Sequence, residues 1–461
     1  MAEAASTSQQ NTSTGRRWLT LATLCIAVLV AQVDTAVVNL AVRRIGEYFH
    51  AGVGQLQWVV DSYNVVYASL LLTGGLLADL LGRRRVFMWG AGIFTASSVA
   101  CAVAPSVSVL VGARAVAGLG AALVIPASLA IVRVVWRDPG ERGRALGIWA
   151  ACNGLALAVG PTLGGVLIHR YDWPSVFYVV VPLGLAALLL ALPAIPESAD
   201  PHERDFDAGA QILGALTLGS LAYAAIRAHE AAGQAVAAAV VALVACAAFL
   251  RVERRRGPRA LVPLEIFRIG PFRSAITATA GMTFGMYGLI FLLPLFWQSS
   301  GRFDTVRAGI ALMPMALVFV AVSPLSGMLV RKLGRRAMAS GGVAVIGCGL
   351  LLVAFTAGHA SVLPAELGLA LTGLGMGMAT GPLMDIAVGA VPAARSGTAS
   401  ALVNTARMVG ATAGVAVLGT VFAAMRGGAA GVHAALLAGG LAQLVCAGLA
   451  WRRIGQPQPG A

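Results

Sequence analysis

In the first half of the chain three ionisable side chains stand alone inside long apolar runs, and they are where this sequence could do chemistry. Asp34 lies in the run that starts at Trp18, Asp61 in the run that starts at Gln55, and Arg114 in the run after Ser106. In hydrocarbon a carboxylate or guanidinium costs at least ~2.5 kcal/mol on insertion scales, so each needs a partner or a water-filled cavity. Desolvation and a second carboxylate raise the proton affinity of a buried acid, and a guanidinium beside it lowers it. An Asp held between those opposing effects can take up a proton on one side of a membrane and release it on the other. Asp34 is the candidate carrier of that proton, alone or shared with Asp61, with Arg114 favouring its release. Asp61 is also a candidate to hold the positive charge of a bound molecule, and two coupled acids would titrate as a pair. The plainer alternative is a static ion pair that only fixes helix packing.

Other chemistries find little support. The six histidines, His50, His169, His202, His229, His359 and His433, fall in or beside loops, and no HExxH, GxSxG or ATP-binding P-loop occurs. Six cysteines lie singly in apolar segments, without CxxC or metal-like spacing, and read as small packing residues. The sequence therefore points to no metal and no cofactor, disfavours a polytopic membrane enzyme, and leaves ion gradients as the visible source of energy.

The elements that must position these residues are membrane helices. Of 461 residues, 58% are hydrophobic and 11% charged, whereas soluble domains carry roughly 25% charged residues. Each spanning helix needs about 20 predominantly apolar residues. Apolar stretches at 18–41, 55–80, 84–104, 106–135, 142–168 and 172–193 form a first block of six. An acidic, Pro-containing loop from Pro196 to Asp207 precedes two Ala-rich stretches at 208–227 and 231–250. Six more follow at 272–298, 305–330, 337–358, 361–388, 397–424 and 429–451. The expected fold is an all-α integral membrane protein of fourteen spans. Its parts are a tail (1–17), a six-helix bundle (18–193), a linker with two additional helices (194–271), a second six-helix bundle (272–451) and a tail (452–461).

The net charge of +14 would suggest nucleic acid in a soluble protein, but the positions of the arginines exclude that partner. With the N-terminus inside, cytoplasmic segments collect Arg16, Arg17, Arg83 to Arg85, Arg133, Arg137, Arg142, Arg144, Arg204, seven arginines between Arg251 and Arg273, Arg331, Lys332, Arg335, Arg336, Arg395, Arg452 and Arg453. Outer loops hold Arg43, Arg44, Arg170, Arg227, Arg302, Arg307 and Arg426. Under the positive-inside rule this puts both termini in the cytoplasm of a multi-pass plasma (inner) membrane protein. In that frame Asp34, Asp61 and Arg114 all lie about 10 Å below the outer surface at 1.5 Å per residue. Equal depth on three helices predicts one polar cluster.

An internal repeat divides the chain. Gly75-Leu-Leu-Ala-Asp-Leu-Leu-Gly82-Arg83-Arg84 recurs as Gly327-Met-Leu-Val-Arg-Lys-Leu-Gly334-Arg335-Arg336, each copy at the cytoplasmic end of an even-numbered span. Parallel repeats of this kind mark secondary transporters. The segment Gly75 to Arg85 resembles the loop motif of the major facilitator superfamily, G-x-L-a-D-r-x-G-r-k-r, through Gly75, Leu77, Asp79, Gly82, Arg83 and Arg85, and departs from it at Leu80. Asp34-Thr-Ala-Val-Val-Asn39-Leu-Ala looks like the D-x-T-v-v-N-v-A motif of its fourteen-helix drug:proton antiporters. Arg114, Gly118, Gly120 and Ala122 resemble R-x-x-q-G-x-g-a-A, with Ala117 replacing the usual Gln. In span five Gly160, Pro161, Gly164 and Gly165 resemble the antiporter motif g-x-x-x-G-P-x-x-G-G, and Asn404 to Gly410 resembles N-t-x-R-q-v-G.

That resemblance implies export of small amphiphilic molecules such as drugs, antibiotics or biocides, exchanged for protons by alternating access. Import, or transport of an endogenous metabolite, is the alternative. Gly75, Asp79, Gly82, Arg83 and Arg85 are expected to form a conformational gate, and Gly160, Pro161, Gly164 and Gly165 a bend and a tight contact that seals the pathway. Candidate substrate contacts are Asn39, Asp61, Tyr63, Tyr287, Trp297 and Arg407; two intramembrane acids favour a cationic substrate by charge pairing. The expected partners are this small molecule, protons and the lipid bilayer, acting on a monomer.

Overall fold

The computed structural model describes residues 14–136, 138–199, 207–228, 231–257, 260, 262, 264–359, 361–391 and 396–454. Residues 1–13, Arg137, the stretch 200–206 with His202 and Arg204, His229, Arg259, Arg395 and the tail from 455 lie outside them. Among the described residues every regular element is helical. The first block is α1 (Thr14–Phe49), α2 (Val53–Leu81), α3 (Arg83–Ala102), α4 (Val107–Val135), α5 (Pro139–Tyr171) and α6 (Ser175–Ala194). The additional pair is α7 (Ala208–Arg227) and α8 (Ala232–Arg256). The last block is α9 (Gly270–Ser299), α10 (Thr305–Leu333), α11 (Arg335–Thr356), α12 (Leu363–Gly389), α13 (Ser396–Ala424) and α14 (Gly428–Ile454). Thirteen helices are long and apolar enough to cross a membrane among the described residues, and α5, a helix of 33 residues, covers the further stretch, 142–168, expected to span.

Local chemistry sets the helix ends. Ser106 Oγ accepts the Val109 N–H at 3.3 Å, and Asp138 and Asp207 carboxylates accept the N–H groups of Glu141 and Ala210 at 2.8 and 2.9 Å. Each closes a backbone donor that a helix start leaves open. The first helix runs to Phe49, past the predicted end at Ala41, because Glu47 pairs with Arg43 and Arg44 at 2.7 and 3.3 Å and carries it into the polar zone. Within α10, Pro314 and Pro324 begin new helical segments, since proline offers no N–H to the preceding turn. The repeated glycines Gly82 and Gly334 link α2 to α3 and α10 to α11 with φ of 109° and 86°, a region side-chain-bearing residues rarely adopt.

The two blocks fold as two bundles with one packing plan. In the first, α1 packs on α5, α2 on α4, and α3 on α4 and α6; in the second, α9 packs on α13, α10 on α12, and α11 on α12 and α14. Glycines permit these close approaches: a Cβ at Gly118 would collide with Tyr63 carbonyl oxygen at 2.5 Å, and one at Gly349 with Gly368 carbonyl oxygen at 2.6 Å.

The bundles meet through α2 with α13 and α5 with α10, and these contacts cluster at the end away from the termini. Gln57 Nε2 donates to the Val415 and Ala416 carbonyls at 2.9 Å each, and Gln298 Nε2 to the Leu40 carbonyl at 3.3 Å. At the termini-bearing end the Ser326–Leu333 segment of α10 packs on α11 and α12 with no buried side chain. Helix α7 rests on the α2–α13 seam, with Thr420 donating to the Ala225 carbonyl at 2.7 Å and Gln211 donating to the Ser69 carbonyl. Helix α8 packs on α7 and exposes Val236, Leu243 and Val244, an apolar face suited to lipid.

Candidate functional site

Asp34 on α1 and Arg114 on α4 meet inside the first bundle, both essentially inaccessible. Arg114 Nη1 donates to Asp34 Oδ2 at 2.6 Å, and its Nε donates to the Val59 carbonyl at 3.1 Å. The Tyr63 ring lies beneath the guanidinium, 4.5 Å from its carbon to the ring centroid. The other Asp34 oxygen, Oδ1, has no hydrogen-bond partner, so the acid is paired on one side only.

Asp61 stands apart from this pair. It is fully buried on α2, and its polar neighbour is Asn64, less than a turn further along; neither side chain makes a hydrogen bond of good geometry. Gln57, one turn earlier on the same face, bonds α13, so Asp61 and Asn64 face the seam between the bundles. Thr412, one turn along α13 from Ala416, also carries an unsatisfied buried hydroxyl.

Between the bundles lies a cleft lined by residues of both. Gln32, Thr35, Ala36 and Asn39 face it from α1, at the i, i+3, i+4, i+7 spacing of one helix face, and Pro161 faces it from α5. The second bundle contributes Met282, Thr283, Met286, Tyr287 and Ile290 from α9, Leu312, Met315 and Phe319 from α10, Met376 and Thr380 from α12, and Arg407 from α13.

Of the residues singled out for substrate contact, Asn39, Tyr287 and Arg407 line this cleft, whereas Asp61, Tyr63 and Trp297 do not. Tyr63 is covered by Arg114, and its hydroxyl approaches Thr35, which does reach the cleft. Trp297 is fully buried at the closed end, with its ring 5.1 Å from that of Phe303. The four methionines and Phe319 went unremarked in the sequence; the one signal was Met282 and Met286 at i, i+4 spacing on α9.

The span-five glycines sit between α1 and the second bundle. A Cβ at Gly160 would meet the Ala36 Cβ at 2.7 Å, and one at Gly164 the Val37 side chain at 2.6 Å. Gly165 lies against Val306, whose Cα a Cβ there would meet at 2.9 Å, and Gly309 lies against the Pro161 carbonyl. At the opposite end Gly75 packs near Pro126, and Asp79 Oδ1 accepts from Arg83 Nη2 at 2.8 Å. Glu197, from the chain after α6, completes that cluster: it accepts the Arg84 N–H at 3.1 Å and lies 3.7 and 3.9 Å from the Arg84 and Arg85 side chains. The second copy of the motif has Arg331 where the first has Asp79, and there the carboxylate comes from α12, with Asp385 3.5 Å from Arg335.

Residues 24–415 match the Major Facilitator Superfamily. The chain belongs to this superfamily. It is 37% identical over 409 residues to the multidrug resistance protein Stp of Mycobacterium tuberculosis, covering 88% of this chain and 76% of that protein. It is 34% identical to the multidrug efflux pump LfrA of Mycolicibacterium smegmatis, covering 89% and 81% of the two chains. To the tetracenomycin C resistance and export protein of Streptomyces glaucescens it is 31% identical, covering 90% and 77%. Among solved structures, a bacterial homolog of the human lysosomal transporter Spinster, inward-facing and unoccupied, superposes with a TM-score of 0.69 at 16% identity, over 96% of this chain and 98% of that one. The protein is a multi-pass transporter of the major facilitator superfamily with drug- and antibiotic-efflux relatives, and the enzyme alternative is set aside by that membership.

Proposed function

We propose that this major facilitator transporter exports small amphiphilic molecules in exchange for protons, by alternating access, as a monomer with both termini in the cytoplasm. The observation that carries the reading is the arrangement around α1: a half-satisfied Asp34–Arg114 pair behind the helix and an open, largely apolar cleft in front of it. Protonation of Asp34 removes half of a buried ion pair and leaves Arg114 without its counter-charge, a change in a low-dielectric interior large enough to shift a two-state equilibrium. Because α1 carries Asp34 on one face and cleft residues on another, a shift of this helix alters both sites together. Asp61, buried on the α2–α13 seam that must part when the far end opens, is the second proton site in this scheme. The span-five glycines seal the far end, and the Asp79–Arg83 cluster with its second copy brackets the other. Efflux relatives support export as the direction.

The test uses everted membrane vesicles with an acid lumen and a panel of amphiphilic dyes of either charge sign. Accumulation of a dye that collapses on adding a protonophore is the expected result. Accumulation that needs ATP, or that survives the protonophore, overturns the reading.

A further inference from the structure

We infer that the cleft takes its substrate as an anion: an amphiphile with a broad apolar body and an acidic group, carboxylate or phenolate, docked on Arg407. The inference rests on the cleft being the transport site. Arg407 is the one charged side chain among the described residues that line it. Its Nη1 lies 3.4 Å from Asn404 Oδ1, its buried Nε has no hydrogen-bond partner, and no carboxylate among the described residues pairs with it. A guanidinium placed at the wall of an apolar cavity with donors left over is a ready-made seat for a planar anion.

Both acids that would favour a cation are placed elsewhere. Asp34 is held by Arg114 at 2.6 Å behind α1, and Asp61 is buried in the α2–α13 seam, so neither contributes to the cleft lining. A cationic molecule would meet the Arg407 charge with no carboxylate beside it. Tyr287 lines the cleft within electrostatic reach of Arg407 and offers a hydroxyl to the same anion. The remaining walls are thioethers and hydrocarbon from Met282, Met286, Met315, Met376 and Phe319. Methionine side chains re-pack around different shapes, so this cleft selects weakly by outline and strongly by charge. In the proposed orientation an inside-negative membrane potential also assists departure of an anion.

Two xanthene dyes of similar outline and opposite charge test this: fluorescein, anionic at pH 8, and rhodamine 123, cationic. Their binding to the purified full-length protein is followed by fluorescence anisotropy without any gradient. Fluorescein should bind at least about tenfold more tightly than rhodamine 123, the scale of one charge-assisted pair. Arg407→Gln should abolish that ratio and Arg407→Lys retain part of it. Asn404→Asp, which places a carboxylate beside the guanidinium without removing it, should lower fluorescein affinity by a similar factor and serves if Arg407→Gln aggregates. Equal or tighter rhodamine binding, no saturable binding of either dye, or a ratio unchanged in Arg407→Gln and Asn404→Asp overturns the inference. Loss of proton-coupled export with the fluorescein preference intact would instead overturn the preceding functional reading and leave this one standing.

Discussion

Asp34 and Thr35 are adjacent on α1 yet face different surroundings: Asp34 pairs with Arg114 inside the first bundle, while Thr35 lines the cleft between the bundles. Tyr63 links them, with its ring under the guanidinium and its hydroxyl toward Thr35. One side chain and one helix thus connect Asp34 to the cleft.

Replacing Asp34 separates a coupling role from a packing role. Asp34→Asn should reduce proton-dependent dye accumulation by at least tenfold and destabilise the protein, because removing one partner of a buried pair costs ~3–5 kcal/mol. Adding Arg114→Gln should restore much of the thermal stability and none of the transport. If transport returns with stability, the pair only fixes packing.

Substitution at the span-five seal should trap the cleft open at the far end. Gly309→Val places a side chain against the Pro161 carbonyl, and Gly165→Val places one against Val306. Either should lower transport by about tenfold, the effect of a shift near 1.4 kcal/mol in the conformational equilibrium. The accompanying measurement is labelling of Asn39→Cys by an impermeant maleimide from outside the cell, which should rise in both variants.

The two linker glycines should differ in tolerance. Gly82→Ala and Gly334→Ala both force a methyl-bearing residue into a φ near 109° or 86°, at roughly 1–3 kcal/mol each. At Gly82 the new Cβ also lies 2.7 Å from Glu197 Oε1, whereas Gly334 has open space. Thermal-shift assays should therefore show the larger fall for Gly82→Ala, and the double variant Gly82→Ala/Glu197→Ala should narrow the gap.

Within the charge cluster, Asp79 and Glu197 should have unequal weight. The Asp79–Arg83 pair is mostly covered and close at 2.8 Å, whereas Glu197 reaches Arg85 at 3.9 Å with that arginine 69% exposed. Exposed pairs contribute about 0–1 kcal/mol. Asp79→Asn should reduce the transport rate several-fold, and the Arg85 half of the Glu197 contact, removed by Arg85→Gln, should leave it within twofold. Transport rates at matched expression decide this.

Much of the architecture was legible along the chain, because bilayer thickness fixes helix length and the arginines mark one side. The repeat at Gly82 and Gly334 was legible for the same kind of reason: a backbone turn of unusual φ demands glycine, and the requirement survives in both copies. Depth was legible too, since rise per residue is constant, and Asp34 and Arg114 do sit level with each other. Asp61 shows where that reasoning ends. It shares their depth, but Asp61 and Tyr63 are two residues apart on α2, about 200° around the helix, so Tyr63 turns to Arg114 and Asp61 to α13.

What the sequence determined by itself is what a one-dimensional code can carry: span positions, the sidedness of charge, the repeat, and which rare polar residues lie in hydrocarbon. Only the tertiary structure decided which of them meet. Helix rotation and the pairing of distant helices placed Asp34 on Arg114, withdrew both acids from the cleft, and left Arg407 among methionines as its charge. Azimuth and helix neighbours depend on packing across hundreds of residues, and no local spacing records them.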